Sequence, residues 1–457
     1  MKIVKSIIIY ILTLEAKIAL MRFKPRIIAV TGNVGKTSTK DAIYTAISGS
    51  IVTRKSKKSF NSEIGVPLAV LGLPNAWNSA FGWAKNVCEG LCVALGTKKY
   101  SHFPDVLVLE IGADHPGDIS RAGKWIHPDI VVLTRMSSVP VHVEFFESAD
   151  DVLREKMELV KAMKSDGVIV VNGDDELFMN ALKNFSSKTI TYGAKKDADI
   201  RIVGAEITCG KEPLLLPTGI SVLLEQKSHK GQNEAQNNTQ SLEIAFGGIL
   251  GNHVAYCAAS AVAVAQELGI DPRVASKALS LAGSTVSAGS TFAQEMPRGR
   301  MNILKGKDHS VIIDDTYNSS PLACEEALKT LEKLSVRGRK IAVLADMKEL
   351  GDMSVEAHTN IGILTGGIVH TLVVVGEDAQ YIAKGAREAG LTDDRIMEYK
   401  TSDDALESFR DFVRAGDVIL VKGSQSMRME RISKVLLLNE NEASDVLVRQ
   451  EKEWEGR

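Results

Sequence analysis

The sequence predicts an α/β protein with a central parallel sheet, a phosphate-binding turn at its first strand, a β-hairpin insertion, and a smaller Rossmann-like α/β domain at the C-terminal end. Three observations carry this. From Arg26 onward, apolar runs of strand length (RIIAVTG, DVLVLEIG, DIVVLTRM, GVIVVNGDD, KTITYG) alternate with helical patterns, which is how a parallel sheet reads. The first run leads directly into the glycine turn TGNVGKTS and then a helix. The alternation resumes near residue 287 with SVIIDD, KIAVLAD, TLVVVGE, RIMEYK and DVILVKG, the pattern of a second doubly wound unit. The boundaries are then 1–25 for an N-terminal helix, 26–286 for the central domain and 287–457 for the C-terminal one.

Composition supports a globular chain with several domains. Of 457 residues, 44% are hydrophobic and 25% charged, which excludes disordered and fibrous classes. With 55 Lys+Arg against 57 Asp+Glu the net charge is −2, so no global field selects nucleic acid and an anionic ligand needs a local site. Five scattered cysteines, at 88, 92, 209, 257 and 324, form neither a CxxC zinc pair nor a disulfide framework and suit a reducing compartment. Cys88 and Cys92 share a helical face, where packing is the expected role.

The opening segment, MKIVKSIIIYILTLEAKIALMRFKP, has an apolar run broken by Glu15 and Lys17, well short of the roughly 20 residues that span a bilayer. Ile7, Ile8, Ile11, Leu14, Ile18 and Met21 beside Lys2, Lys5, Lys17, Arg22 and Lys24 suit either an interfacial helix or one docked on the protein's own body. Residues 200 to 248 change character: IRIVGAEIT, GISVLLEQ and SLEIAF surround a Gln/Asn-rich stretch, KSHKGQNEAQNNTQS, read as the hairpin insertion with a mobile tip.

The turn carries the first chemistry. Gly32, Asn33, Gly35, Lys36, Thr37 and Ser38 stand between a strand and a helix, so backbone N–H groups and a helix N-terminus can cradle phosphate oxygens. Position 30 is Val, so this is a shortened G-x-x-x-x-G-K-[ST] loop, the mark of a P-loop ATPase domain. Lys36 is expected to reach the terminal phosphates and Thr37 to offer its hydroxyl to Mg2+. Glu110 ends the strand DVLVLEIG at the sheet edge from which the loop emerges, placing a carboxylate near a bound metal, with Asp114 and Asp118 as alternatives. His142, on the loop after DIVVLTRM, is a further metal-ligand candidate.

Ser148-Ala-Asp-Asp151 reads as a helix N-cap. In the helix that follows, Lys156 has apolar neighbours three and four residues away on both sides, Val152, Leu153, Leu159 and Val160. It either snorkels outward or serves a function that needs a desolvated amine. Farther on, Asp314-Asp315-Thr316-Tyr317-Asn318 follows a strand and Ser319-Ser320-Pro321 opens a helix. Arg300, Lys422 and Ser424 add groups suited to phosphate or carboxylate recognition.

Taken together, TGNVGKTSTKDAI, FNSEIGVPLAVLGL, VLEIGADHPGDIS, HVEFFESADDVLREKMEL, IIDDTYNSSP, LADMKELG and LVKGS resemble, in order and spacing, the Mur ligase family, most closely its D-alanyl-D-alanine-adding branch, from about residue 26 onward. The resemblance implies ATP-dependent amide ligation in peptidoglycan precursor synthesis: a muramoyl-peptide carboxylate is activated as an acyl phosphate and joined to an amine such as D-Ala-D-Ala. It implies ATP and two Mg2+ ions as cofactors, with Thr37 and Glu110 on the first ion, His142 helping to hold the second, and Lys156 carbamylated as an anionic ligand. Lys36, His142 and Lys156 would be catalytic. Arg300 and Asp314 would contact nucleotide, and Asn61, Ser62, Asn318, Lys422 and Ser424 substrate.

The chain also departs from the family. About 25 residues precede the first strand, where the family carries a separate domain that grips the UDP-sugar. Asn61-Ser62 replaces paired asparagines, Thr134-Arg135 replaces Thr-Asn, Val254 and Cys257 stand where asparagines are common, and Gln425 replaces an arginine. A related ligase with a lipid-linked or other carboxylate acceptor, and a non-catalytic nucleotide switch, are the alternative readings. The expected setting is a cytoplasmic monomer that touches the inner face of the plasma membrane through residues 1–21.

Overall fold

A computed structural model describes residues 2–57, 63–77, 79–97, 102–113, 115–136, 146, 148–210, 214–227, 239–283, 297–409, 412–451 and 454. The expected positions Asn61, Ser62, Asp114 and His142, the hinge at 287 and the tip at 228–238 lie outside them. The chain divides into two compact units. One comprises Met1–Gly204, Leu223–Ile244 and Ala255–Leu279; the other comprises Ala205–Val222, Ala245–Val254 and Ser280–Arg457.

The elements begin α1 (Lys2–Phe23), β1 (Arg26–Thr31), α2 (Lys36–Ser48), β2 (Thr53–Lys55), α3 (Gly65–Leu71), α4 (Ala80–Ala94), β3 (Val106–Glu110), α5 (Asp118–Ile126), β4 (Ile130–Leu133), α6 (Ala149–Lys161), β5 (Val168–Asn172), α7 (Glu176–Leu182) and β6 (Lys188–Gly193). Then come β7 (Ile200–Cys209), β8 (Pro217–Lys227), β9 (Thr239–Gly247), α8 (His253–Glu267) and α9 (Pro272–Gly283). The remainder is β10 (Asn302–Lys305), β11 (Val311–Asp315), α10 (Pro321–Lys333), β12 (Lys340–Ala345), α11 (Ser354–Gly366), β13 (Thr371–Val375), α12 (Ala379–Glu388), β14 (Ile396–Tyr399), α13 (Ser402–Ala405), β15 (Val418–Lys422), α14 (Glu430–Leu436) and α15 (Ala443–Val446).

The first sheet has the order β2-β3-β1-β4-β5-β6-β7-β8-β9. Pairing from β2 to β7 is parallel, and β1, β3, β4 and β5 are apolar and almost wholly buried, as strands covered on both faces must be. Strand order reverses around β1, and the carboxyl ends at such a point are where ligands bind in open α/β sheets. The strands expected to form the β-hairpin insertion, β7 to β9, stand in line with this sheet. Their alternating burial, clearest in β9, explains why they read differently: one face is covered and the other open.

The N-terminal helix docks on the body of its own unit. Leu12, Ala16 and Ala19 are fully buried, α1 packs on α3 and α4, and Phe23 stacks on Phe103 at 4.6 Å. The fully buried line is thus not the apolar stripe that the sequence suggested, of which Ile8 packs partly buried against this core while Ile7, Leu14 and Met21 are exposed. Cys88 is exposed, so it does not pack as expected of its shared face with the half-buried Cys92.

The second sheet runs β10-β11-β15-β12-β13-β14, parallel except for the β10–β11 pair. Its order also reverses, around β15, which brings the carboxyl ends of β11 and β15 side by side: Asp315 pairs with Lys422 in register. Ser320 caps α10 through the Ala323 N–H, with Pro321 in its first turn, as its sequence anticipated.

Candidate active site

The glycine turn is held in one shape by contacts that its sequence dictates. Gly32 has φ of +146°, and a Cβ there would lie 2.0 Å from Thr134 Oγ1, so only glycine fits. Gly35 takes the left-handed region at φ +86° and precedes the first turn of α2, again a glycine role. The N–H groups of Asn33 and Val34 donate to the Arg135 carbonyl at 2.8 and 3.2 Å, and Thr134 Oγ1 donates to the Val34 carbonyl at 2.8 Å. Thr134 and Arg135, noted in the sequence only as a departure, are therefore what brace the loop.

Lys36 curls over that loop, its Nζ donating to the carbonyls of Gly32 at 2.9 Å and Asn33 at 3.1 Å. Thr37 is buried in the first turn of α2, and Ser38 beside it is half-buried. Glu110 ends β3 opposite Val30, the last but one residue of β1, so the carboxylate lies on the strand next to the loop's origin. It is 2% exposed, and its N–H donates to Ser56 Oγ at 3.0 Å.

Lys40, which sequence reasoning missed, is also buried: its Nζ lies 3.7 Å from Glu110 Oε2 and 3.5 Å from Asp41 Oδ1, and Asp41 also meets Lys55 at 3.1 Å. A helical lysine one turn after the loop looks solvated in sequence, and only the β1–β3 register shows what it faces. Asp118, the alternative metal ligand, instead accepts the His115 N–H at 2.8 Å and pairs with Arg121.

Lys156 is 4% exposed, so it does not snorkel. Ser148 caps α6 through the Asp151 N–H at 3.2 Å, as expected. The neighbouring Glu155 fixes the helix: its carboxylate accepts N–H groups of Gly117, Ile119 and Ser120 at 2.9, 2.7 and 3.2 Å, satisfying the N-terminus of α5. Val152, Met157, Leu159 and Val160 of α6 share a core with Ile111 and Ala113, which follow Glu110. Behind the loop helix, buried Cys257 lies with Sγ 3.5 Å from Thr39 Oγ1.

Among the described residues no three His, Cys, Asp or Glu side chains converge on a metal-sized point. The oxygen donors of Thr37 and Glu110 nevertheless fit Mg2+, which takes one or two protein oxygens and completes its shell with phosphate and water.

In the second unit, Lys422 Nζ donates to Asp315 Oδ2 at 2.6 Å and to the Asn318 carbonyl at 3.0 Å, while Asn318 itself is exposed. Arg300 lies over the Tyr317 ring at 4.4 Å. Asp314, by contrast, is fully buried, its Oδ1 accepting from Thr316 and Ser433 at 2.9 and 2.8 Å; burial pushes its carboxyl up to about 7. Ser424 accepts the Lys348 N–H at 2.9 Å. His253, unremarked in the sequence, belongs to this group: desolvation pushes its imidazole down to about 4, opposed by Asp315 and reinforced by Arg300 and Lys422.

A short phosphate loop opening a helix at a sheet's switch point, with a carboxylate on the adjacent strand and a second α/β unit, defines a nucleotide-binding α/β protein of the ligase type. The chain belongs to the Mur ligase family: residues 94–265 match the Mur ligase middle domain and residues 299–425 match the Mur ligase, glutamate ligase domain. It is 28% identical over 423 residues to the UDP-N-acetylmuramoyl-tripeptide--D-alanyl-D-alanine ligase of Bacillus subtilis (strain 168), covering 92% of this chain and 78% of the relative. It is 26% identical over 434 residues to the ligase of that name from Mycobacterium tuberculosis (strain ATCC 25618 / H37Rv), covering 91% and 73%. In fold it resembles the crystal structure of MurF ligase from Thermotoga maritima in complex with ADP, with a TM-score of 0.71, 23% identity, and coverage of 96% of this chain and 84% of that one.

Proposed function

We propose that this chain is an ATP-dependent carbon–nitrogen ligase that joins a muramoyl-peptide carboxylate to an amine of the D-Ala-D-Ala type. The observation that carries this reading is the braced loop from Gly32 to Thr37 with Glu110 in register beside it; the names of the relatives supply the substrate class.

In this reading the substrate carboxylate attacks the γ-phosphorus of ATP, releasing ADP. The amine then attacks the carbonyl carbon of the acyl phosphate, loses a proton, and expels phosphate. The loop N–H groups and the N-terminus of α2 hold the phosphates. Lys36 leaves the carbonyls of Gly32 and Asn33 to meet charge developing on the transferred group. Thr37 and Glu110 would hold one Mg2+, and His142 with Lys156 a second; the ions would supply neutralising charge for the transferring phosphoryl group. Lys156 takes up CO2 at its amine with loss of a proton, becoming an anionic carbamate ligand. Its 4% exposure, on a helix whose Val152, Leu159 and Val160 are also buried, keeps the amine out of bulk water and supports this. Arg300, Asn318 and Lys422 serve nucleotide or amine binding, and Asn61 and Ser62 the acceptor.

The test is phosphate release with ATP, Mg2+ and D-Ala-D-Ala, with and without UDP-muramoyl-tripeptide, for the intact protein and Lys156→Ala. Release that requires both substrates and collapses in the variant supports the reading. Nucleotide binding without turnover on that acceptor, but with turnover on a lipid-linked muramoyl peptide, moves the acceptor assignment and keeps the reaction. Binding without turnover on either leaves a nucleotide switch. The protein acts in this scheme as a cytoplasmic monomer.

A further inference from the structure

The first unit carries an apolar surface that its core does not use. α1 buries Leu12, Ala16 and Ala19, yet on its opposite side Ile7, Tyr10, Leu14 and Met21 are exposed, Tyr10 by 71%. These four fall at intervals of three, four and seven residues, which places them along one face of the helix. The neighbouring helix repeats the pattern. On α4, Phe81 is 82% exposed and Leu91 is exposed, with Leu95 just beyond the helix and Trp77 just before it also open.

The two helices lie side by side and run in the same direction. A Cβ on Gly90 would meet the Glu15 carboxylate at 2.1 Å, and one on Gly96 the Arg22 guanidinium at 2.7 Å. Singly scattered apolar residues on a surface mean little, whereas two adjacent helices with apolar outer lines are a recognition surface.

Charge selects the partner. Lys5, Lys17, Arg22 and Lys24 on or beside α1, and Lys85 on α4, are all exposed. Glu15 is buried at the seam and Glu89, one turn after Lys85, is half-buried, so the exposed charges of the two helices are cationic. Burial pushes the Glu15 carboxyl up to about 7, which further lowers negative charge at the seam. Among the described residues no helix is long and apolar enough to cross a membrane. A basic, aromatic-bearing apolar face that cannot span is the pattern of a segment lying in the plane of an anionic lipid surface.

We propose that the outer faces of α1 and α4 together dock on an anionic bilayer, with Tyr10, Leu14, Met21, Phe81 and Leu91 entering the headgroup–acyl boundary and the lysines meeting lipid headgroups. This goes beyond the ligase reading and does not depend on it.

The experiment is flotation of the full-length protein with vesicles of phosphatidylcholine alone or with about one-third phosphatidylglycerol. The protein should float with the anionic vesicles at least about tenfold more than with neutral ones and lose most of that binding in high salt. Tyr10→Ser/Leu14→Gln/Phe81→Ser should abolish flotation, and Lys5→Gln/Lys17→Gln/Lys24→Gln should abolish the preference for anionic lipid. Circular dichroism and ATP binding, measured alongside, should match wild type because every altered side chain is exposed. Wild-type protein that stays with the soluble fraction, or a folded apolar-face variant that floats as well as wild type, overturns the proposal. So does a wild-type dimer that the apolar-face variant converts to monomer without any vesicle binding, since a second copy would then be the occupant.

Discussion

Each unit buries a lysine against a carboxylate at the edge of its sheet, and the two pairs are built differently. In the second unit Lys422 contacts Asp315 at 2.6 Å and spends another donor on the Asn318 carbonyl. In the first, Lys40 stands 3.7 Å from Glu110 and 3.5 Å from Asp41. A separation of 2.6 Å is a charge-assisted hydrogen bond; at 3.7 Å the attraction is Coulombic and the geometry is not a hydrogen bond. Lys422 therefore fixes where Asp315 points, whereas Lys40 offsets the burial of Glu110 without dictating its direction. On the proposed function, a carboxylate that shares a metal with Thr37 would need the second arrangement, and a strand end that shapes a binding loop the first.

The largest effect that sharpens this contrast lies in the glycine loop. Lys36→Ala should lower kcat for phosphate release by about 10³ with the fold intact, because the cation over the loop would be gone when the phosphoryl group moves. Circular dichroism separates this from unfolding. Next are the paired lysines. Lys422→Met should cost about 3–5 kcal/mol, since it leaves Asp315 buried without its cation, and Mg2+ should not restore it. Lys40→Met should cost less at saturating Mg2+ than in EDTA, because the metal replaces the lost charge beside Glu110. Urea melts of both variants, with and without Mg2+, compare them; equal Mg2+ responses would contradict the distinction drawn here.

A pH series probes buried carboxyls that, among the described residues, have no lysine at hydrogen-bond distance. Desolvation raises Glu15 from 4.5 and Asp314 from 3.8, each to about 7. Between the unfolded and folded values the native state binds more protons than the unfolded chain, so each contribution is fully present below the unfolded value, 4.5 for Glu15 and 3.8 for Asp314, and is lost as pH rises through 7, on the order of 3–4 kcal/mol per group. His253, lowered to about 4, acts in the opposite sense, removing stability as pH falls below about 6.5. Glu15→Gln and Asp314→Asn should each flatten the alkaline side of the urea-midpoint profile. The smallest effect is Gly32→Ala, about 1–3 kcal/mol of backbone strain and crowding against Thr134, read as a lower melting temperature together with weaker ATP binding.

Much of the site was legible because its signals are local. The loop announces itself by two glycines, a lysine and a threonine between a strand and a helix, and the caps Ser148 and Ser320 act within three residues of themselves. What could not be read depends on contacts far apart in the chain. Glu155 caps α5 across more than 34 residues, Thr134 braces Val34 across 100, and Lys40 meets Glu110 only through the register of β1 against β3. Docking of α1 was one of two readings open in its sequence, and which side is buried depends on α3 and α4: Leu12, Ala16 and Ala19 are fully buried and Ile8 packs partly buried beside them, while Ile7, Leu14 and Met21 stay exposed. DDTYN offers two adjacent carboxylates that the sequence does not tell apart; in the structure Asp314 is fully buried and Asp315 meets Lys422.

The most direct test of the ligation chemistry follows an oxygen atom. The muramoyl-tripeptide acceptor, labelled with 18O in its reacting carboxylate, is turned over with ATP, Mg2+ and D-Ala-D-Ala, and the released phosphate is analysed by mass spectrometry. Attack of the carboxylate on ATP followed by amine attack at carbon predicts one 18O in each phosphate and one retained in the amide. Unlabelled phosphate would mean that water, not the carboxylate, receives the phosphoryl group, and would contradict the account.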